Sequence, residues 1–255
     1  MRRALAVTRN TIREVLRERV VLVLALFGLG LALGAQALSP LALGEGRKIV
    51  IDFGLAGSSI LATLLAVFLG STLLHKELER RTLYAVMAKP IRREEFLLGK
   101  FLGLWGTTTL LLAGMTAIVI ALTALFYASA PWGAVPSLLL SWVELGIVTA
   151  LVTFFSAFTT PALTAFFALA VVTAGHFAED LRYFVHQGAA PVLSSAVEAV
   201  YWMLPHLELF DVRGLVVHGV PIGGPRLAFA TAYGLLYMIG VLILAGAVFR
   251  RREFR

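Results

Sequence analysis

The fold class predicted by this 255-residue sequence is an all-α integral membrane protein with six transmembrane helices, and three observations predict it. Mean hydropathy is +0.88, and 59% of the residues are hydrophobic against 15% charged. A chain of that composition cannot form a soluble globule without large exposed apolar patches. Apolar runs at 20–38, 51–74, 101–127 and 226–248 each lie near or above the ~20 residues that cross ~30 Å of hydrocarbon. The basic residues gather at the ends of these runs, where they orient spans and meet anionic headgroups. That placement accounts for the net charge of +7, so no nucleic-acid partner is expected. The chain has no cysteine, which excludes a disulfide framework, a thiolate metal site and a cysteine nucleophile.

Residues 1–19 carry Leu5, Ile12, Val15 and Leu16 at near-helical spacing, with Arg9, Arg13, Arg17 and Arg19 on other faces. This pattern predicts a retained amphipathic helix in the membrane interface; a solvated helix that orients the first span is the alternative. It is not read as a signal peptide, because the basic region is too long and no small-residue cleavage pattern closes the apolar run. Spans at 20–38 and 51–74 follow, then a charged island at 75–100 with Lys76, Arg80, Arg81, Lys89, Arg92, Arg93 and Lys100. By the positive-inside rule the island is cytoplasmic, and it reads as a docking element.

The stretch 137–175 is too long for one span and is interrupted at Thr159, Thr160 and Pro161. Two helices, 137–158 and 161–175, give six spans with 101–127 and 226–248; a single kinked helix gives five. Six spans leave only Arg47, Lys48, Arg182, Arg213 and Arg226 of the 22 basic residues outside, whereas five strand the arginines of the FRRREFR tail there. Charge bias therefore favours six spans with both termini cytoplasmic. The outer segment 176–225 has capping-box spacing at Ser195 and Glu198, which predicts a helix start at Ser195 and an end near Pro205. Its apolar character suits either re-entry into the membrane or a small outer cap, with Tyr201 and Trp202 at headgroup depth. Gly30 with Gly34, and Gly99 with Gly103, have the spacing of close helix contacts.

Recognisable catalytic chemistry is sparse. Gly99-Lys100 is followed by Phe101 and preceded by Glu94 where a phosphate-binding loop needs glycine, so the chain has no nucleotide cradle of its own. His206 and Glu208 form an HxE without the PCxxC half of a zinc deaminase. His176, His186, His206 and His218 all fall on the outer side; no pair shares a helical turn, and no metal site is assigned. Glu144 is the ionisable residue inside a predicted span, about 10 Å deep by helical rise. Because such a charge is costly in hydrocarbon, it is the candidate for a translocation path, or else it pairs locally near the interface.

The order of elements and the island resemble the membrane subunit of an ABC transporter of the second exporter type. Glu79, Arg80, Thr82 and Leu83, then Lys89-Pro90-Ile91 with Arg92 or Arg93, then Leu98-Gly99-Lys100 are similar to that family's E-R-x-x-G-T-L, P-[IV]-x-R and L-G-K segments. Arg81 replaces the usual glycine. The segment YWMLPHLELFDVR at 201–213 is similar to the "LP-N-LE-F" segment of permeases linked to multicopper-enzyme maturation, with His206 where asparagine is common. The resemblance covers nearly the whole chain, which makes 1–255 one permease domain.

The resemblance implies a permease without its own ATPase domain. ATP and Mg would sit on separate cytoplasmic ABC ATPases, and two permease copies, identical or related, would enclose the path. On this reading the apolar centre Leu83–Met87, including Tyr84 and Met87, inserts into an ATPase groove. Glu79, Arg80, Arg92 and Arg93 set register at its rim, Thr82 belongs to the motif, and Pro90 turns the chain back. The implied location is a bacterial cytoplasmic (inner) membrane, with lipids as the remaining partner. A non-transporting assembly or sensor subunit and a membrane-embedded lipid-modifying enzyme are the alternatives. The latter needs a polar catalytic cluster at one membrane level.

Overall fold

The structure, a computed structural model, describes residues 44–79, 93–180, 182–183 and 191–251, together with 8, 26–31, 33, 34 and 37. Four helices among them are long and apolar enough to cross a membrane by length and composition. These are α1 (Gly46–Glu79), α2 (Arg93–Tyr127), α3 (Ala134–Ser156) and α7 (Gly224–Arg251). Between the last two lie α4 (Pro161–His176), α5 (Pro191–Met203), a 3-10 turn at Leu207–Phe210, and α6 (Arg213–Val217). The run predicted to span at 20–38 is helical wherever it is described.

Helix is the form these apolar runs must take, because a bilayer offers no water to satisfy backbone N–H and C=O groups. Several of the hydroxyls within them are absorbed locally. Ser58 Oγ donates to Gly54 O at 2.6 Å, and Thr107, Thr123 and Thr153 each donate at 2.7 Å to the carbonyl one turn back. With 34 and 35 residues, α1 and α2 are each about 50 Å long, well beyond the ~30 Å of hydrocarbon. The apolar run within α1 ends at Leu74, before His75, so the last five residues of the helix, 75–79, belong to the charged island.

Residues 137–175 hold two helices rather than one kinked rod. The break lies at 157–160: Thr159 Oγ1 donates to Phe155 O at 2.8 Å and meets Thr164 Oγ1 at 2.7 Å. Pro161 opens α4, a position where its missing N–H leaves no bond unmade. At 16 residues, α4 is about 24 Å long. The helix predicted to start at Ser195 instead starts at Pro191. The capping-box spacing was therefore misleading, and the proline at the first helical position is the better start signal. The end at Met203 agrees with the restriction on residues just before Pro205.

The core is organised around α3, in which every residue from Val143 to Thr153 is buried. A helix enclosed on all sides has no solvent face to favour polar residues, which explains its near-uniform apolar sequence. Two glycines permit the close approach of α7. A Cβ on Gly234 would stand 2.3 Å from Val143 Cγ1 and 2.8 Å from Phe210 Cζ, and one on Gly146 would stand 2.8 Å from Met238 Sδ. Trp105 of α2 stacks on Trp142 of α3 at 4.5 Å and donates to its carbonyl at 3.0 Å.

The bundle has two distinct ends. Leu97, Ala157, Ala245 and Phe249 form one cluster, tying α2, the α3–α4 turn and α7 together at the island end. Ile51, Leu55, Ala134, Val216 and Val217 form another, at the opposite end. The segment from α5 to α6 does not lie flat on that end. Leu207 and Phe210 are buried in the core, and Phe210 reaches Gly234, ten residues and about 15 Å into α7.

Candidate functional site

Two regions concentrate polar chemistry, one at each end of the bundle. At the island end, the proposed docking residues Arg80, Thr82, Leu83, Tyr84, Met87, Pro90 and Arg92 lie outside the described residues, as does the interfacial helix at 1–19 apart from Thr8. Glu79 closes α1 and Arg93 opens α2, so the docking stretch joins the tips of the two longest helices among the described residues. Lys100, counted among the island cations, is buried at 4% exposure and so belongs to the bundle rather than to a solvated face. Thr8 Oγ1 donates to Gly99 O at 3.2 Å, which brings the N-terminal region beside the start of α2.

At the opposite end, Glu144 is 5% exposed. Its Oε1 lies 3.2 Å from His176 Nε2, and no aligned hydrogen bond reaches that oxygen among the described residues. The other ring nitrogen, Nδ1, lies 3.0 Å from Val172 O. This geometry sets Glu144 beside His176. His176 ends α4, and the glycine before it is pressed against the following segment: a Cβ on Gly175 would stand 2.5 Å from Pro205 O and 3.2 Å from Leu207 Cγ.

Further polar contacts lie in the segment that follows α4 and on α7. Arg213 Nε and Nη2 donate to Asp211 Oδ1 and Oδ2 at 2.8 and 2.6 Å, and this hydrogen bonding holds the Asp211 carboxyl below the usual range despite its burial. Burial, aided by the charge of Glu179, pushes the Glu208 carboxyl up, against the Glu179 N–H donated to its Oε2 at 3.4 Å. His206 is pushed down, chiefly by burial. Its backbone N–H donates to Tyr233 Oη at 3.0 Å, and its Nδ1 lies 3.0 Å from the same oxygen. Arg182 pairs with Glu198 at 2.9 Å and lies 4.7 Å over the Tyr201 ring.

Beside Arg213, the hydroxyls of Ser58, Thr116, Ser137 and Ser141 line a cavity of about 10 Å³, about the space one water occupies. Of the four histidines expected on the outer side, His186 lies outside the described residues; among the described residues no three metal-ligating side chains come together. Sequence reasoning missed His176 as the partner of Glu144 and Tyr233 as the partner of His206. The available signal was Glu144 itself, since an acid in an apolar helix requires a partner.

A multi-pass helical protein with a charged stretch at the tips of its two longest described helices is the class this architecture defines. The model of the ABC-2 family transporter proteins matches residues 5–187, and the chain belongs to that family. It is accordingly a permease subunit of an ABC transporter, a transport component and not itself an enzyme, and the family associates with ABC ATPase subunits. No curated protein matches the chain. The family match ends before 201–213, the segment that resembles the multicopper-maturation permeases.

Proposed function

We propose that this chain is one permease of an ATP-driven exporter. Two copies, identical or related, enclose the path and couple to cytoplasmic ATPases through residues 75–100. The observation that carries the reading is the position of the charged stretch. It joins α1 and α2, each about 50 Å long and packed together along the bundle. Movement imposed at their tips by ATPase closure would pass along stiff helices into the core, and a flexible tether would transmit no such work. Glu79, Arg80, Arg92 and Arg93 set register on the ATPase, Leu83, Tyr84 and Met87 fill its groove, and Thr82 and Pro90 shape the turn. ATP and Mg belong to the ATPase.

In this reading six spans cross a bacterial inner membrane with both termini cytoplasmic, and the segment 176–225 re-enters the membrane from outside. The burial of Leu207 and Phe210 deep in the bundle supports the re-entry. The same segment, through its resemblance at 201–213, suggests the permeases linked to multicopper-enzyme maturation as the subgroup. Glu144 acts on the path from within the protomer, through the helices it joins. Charge reversal at Glu79 or Arg92 is expected to uncouple ATP hydrolysis from transport in reconstituted vesicles containing the ATPase. Full coupling in both variants would remove the docking assignment.

A further inference from the structure

The contact between Glu144 and His176 requires a proton that neither partner's ordinary neutral-pH form supplies. A backbone carbonyl can only accept, so the 3.0 Å approach of His176 Nδ1 to Val172 O places a hydrogen on Nδ1. In the neutral ring this leaves a lone pair on Nε2. Nε2 lies 3.2 Å from Glu144 Oε1, on a side chain only 6% exposed. A carboxylate oxygen and an unprotonated imidazole nitrogen 3.2 Å apart are two acceptors with no donor between them, which is costly at a buried site. One proton between them removes the conflict, whether it resides on the ring or on the carboxyl. The histidine side chain is 31% exposed, so that proton has a way out on the histidine side.

We propose that Glu144 and His176 form a proton-binding site, one proton held between Oε1 and Nε2, whose loss releases the end of α4 from α3 and shifts the buried turn at Leu207–Phe210. The mechanical link is short. Gly175 adjoins His176 and packs without clearance against Pro205 O and Leu207, so a displaced α4 terminus must move the turn. On deprotonation the proton passes to water at the exposed edge of His176, leaving a carboxylate opposite a lone pair.

The charged groups around the pair are themselves committed. Asp211 and Glu208, from the segment after α5, act on His176 and favour the proton. Arg213 of α6 is the cation beyond the pair and is bound to Asp211. Asp52 of α1 faces Arg213, α2 presents Thr116 beside Arg213, and Tyr233 of α7 is engaged by His206. The assignment goes beyond the transport reading and does not depend on ATPase docking.

The absence of cysteine makes the full chain suited to paired spin labels. Labels at Val135→Cys on α3 and Thr173→Cys on α4, both at exposed positions, report the separation of the two helix ends in lipid nanodiscs. Between about pH 5 and about pH 9, the range that spans histidine titration, a second, longer distance is expected to grow in as pH rises. In Glu144→Gln the amide donates to Nε2 without titrating, so the short distance is expected to persist throughout. A distribution that ignores pH in the unsubstituted background, or the same pH response in Glu144→Gln, would overturn the proposal. Nitrogen NMR of ring-labelled His176 in the natural chain provides a check free of substitutions. A hydrogen-bonded proton at the Nε2–Glu144 contact at low pH is the expected result, and a bare Nε2 facing a carboxylate there overturns it.

Discussion

Tyr233 serves His206 twice, accepting from its backbone N–H and facing its Nδ1. A neutral ring suits this contact, because the hydroxyl can then give its one hydrogen to an unprotonated Nδ1 while accepting from the N–H. Burial lowers the His206 pKa in the folded state. A base whose folded pKa is depressed contributes stability that is present above its unfolded pKa of about 6.5 and is lost as pH falls through the folded value. Thermal stability in detergent is therefore expected to decline as pH drops below about 6.5, with a shallower decline in His206→Asn, which cannot titrate. Tyr233→Phe should cost about 0.5–1.5 kcal/mol at neutral pH for the lost bonds; an unchanged unfolding temperature in that variant would contradict the geometry. None of this pairing was legible in the sequence. His206 and Tyr233 stand on different elements, and their meeting depends on how the chain after α5 turns into the bundle.

Helices were the most legible elements, because in hydrocarbon an apolar run has one way to satisfy its backbone. The α3–α4 break was legible for a related reason: proline after two threonines marks a helix start. The start of α5 was not, since the spacing of Ser195 and Glu198 also occurs inside a helix, and local hydrogen-bonding potential does not decide where packing begins the turn. Packing at the α3–α7 contact gives a sharper test. Gly234→Ala places a methyl 2.3 Å from Val143 Cγ1 and is expected to destabilise the bundle by about 1–3 kcal/mol through overpacking. Gly240→Ala on the same helix meets nothing within 4 Å, and replacing a helical glycine with alanine there should be neutral or stabilising. Equal unfolding temperatures for the two variants would show that α7 does not approach α3 as closely as described.

At the scale of the whole molecule, charge distribution and hydropathy conveyed the membrane class, and the island motif conveyed the family before any tertiary contact was considered. They did not convey that the two ends of the bundle differ in kind. One end joins the two longest helices among the described residues to a cationic stretch, the proposed dock; the other folds a segment back into the core beside a buried acid–histidine pair. A periodic apolar pattern cannot show this, because it records which residues avoid water and not which polar residues find each other. The account as a whole requires the first end to bind an ATPase. Its most direct test is co-purification of the detergent-solubilised permease with its candidate ATPase, comparing the natural chain with one carrying Glu79→Lys and Arg92→Glu. The natural chain is expected to retain the ATPase, and the charge-reversed chain to lose it while remaining folded. Equal retention by both would contradict the assignment of residues 75–100 as the dock.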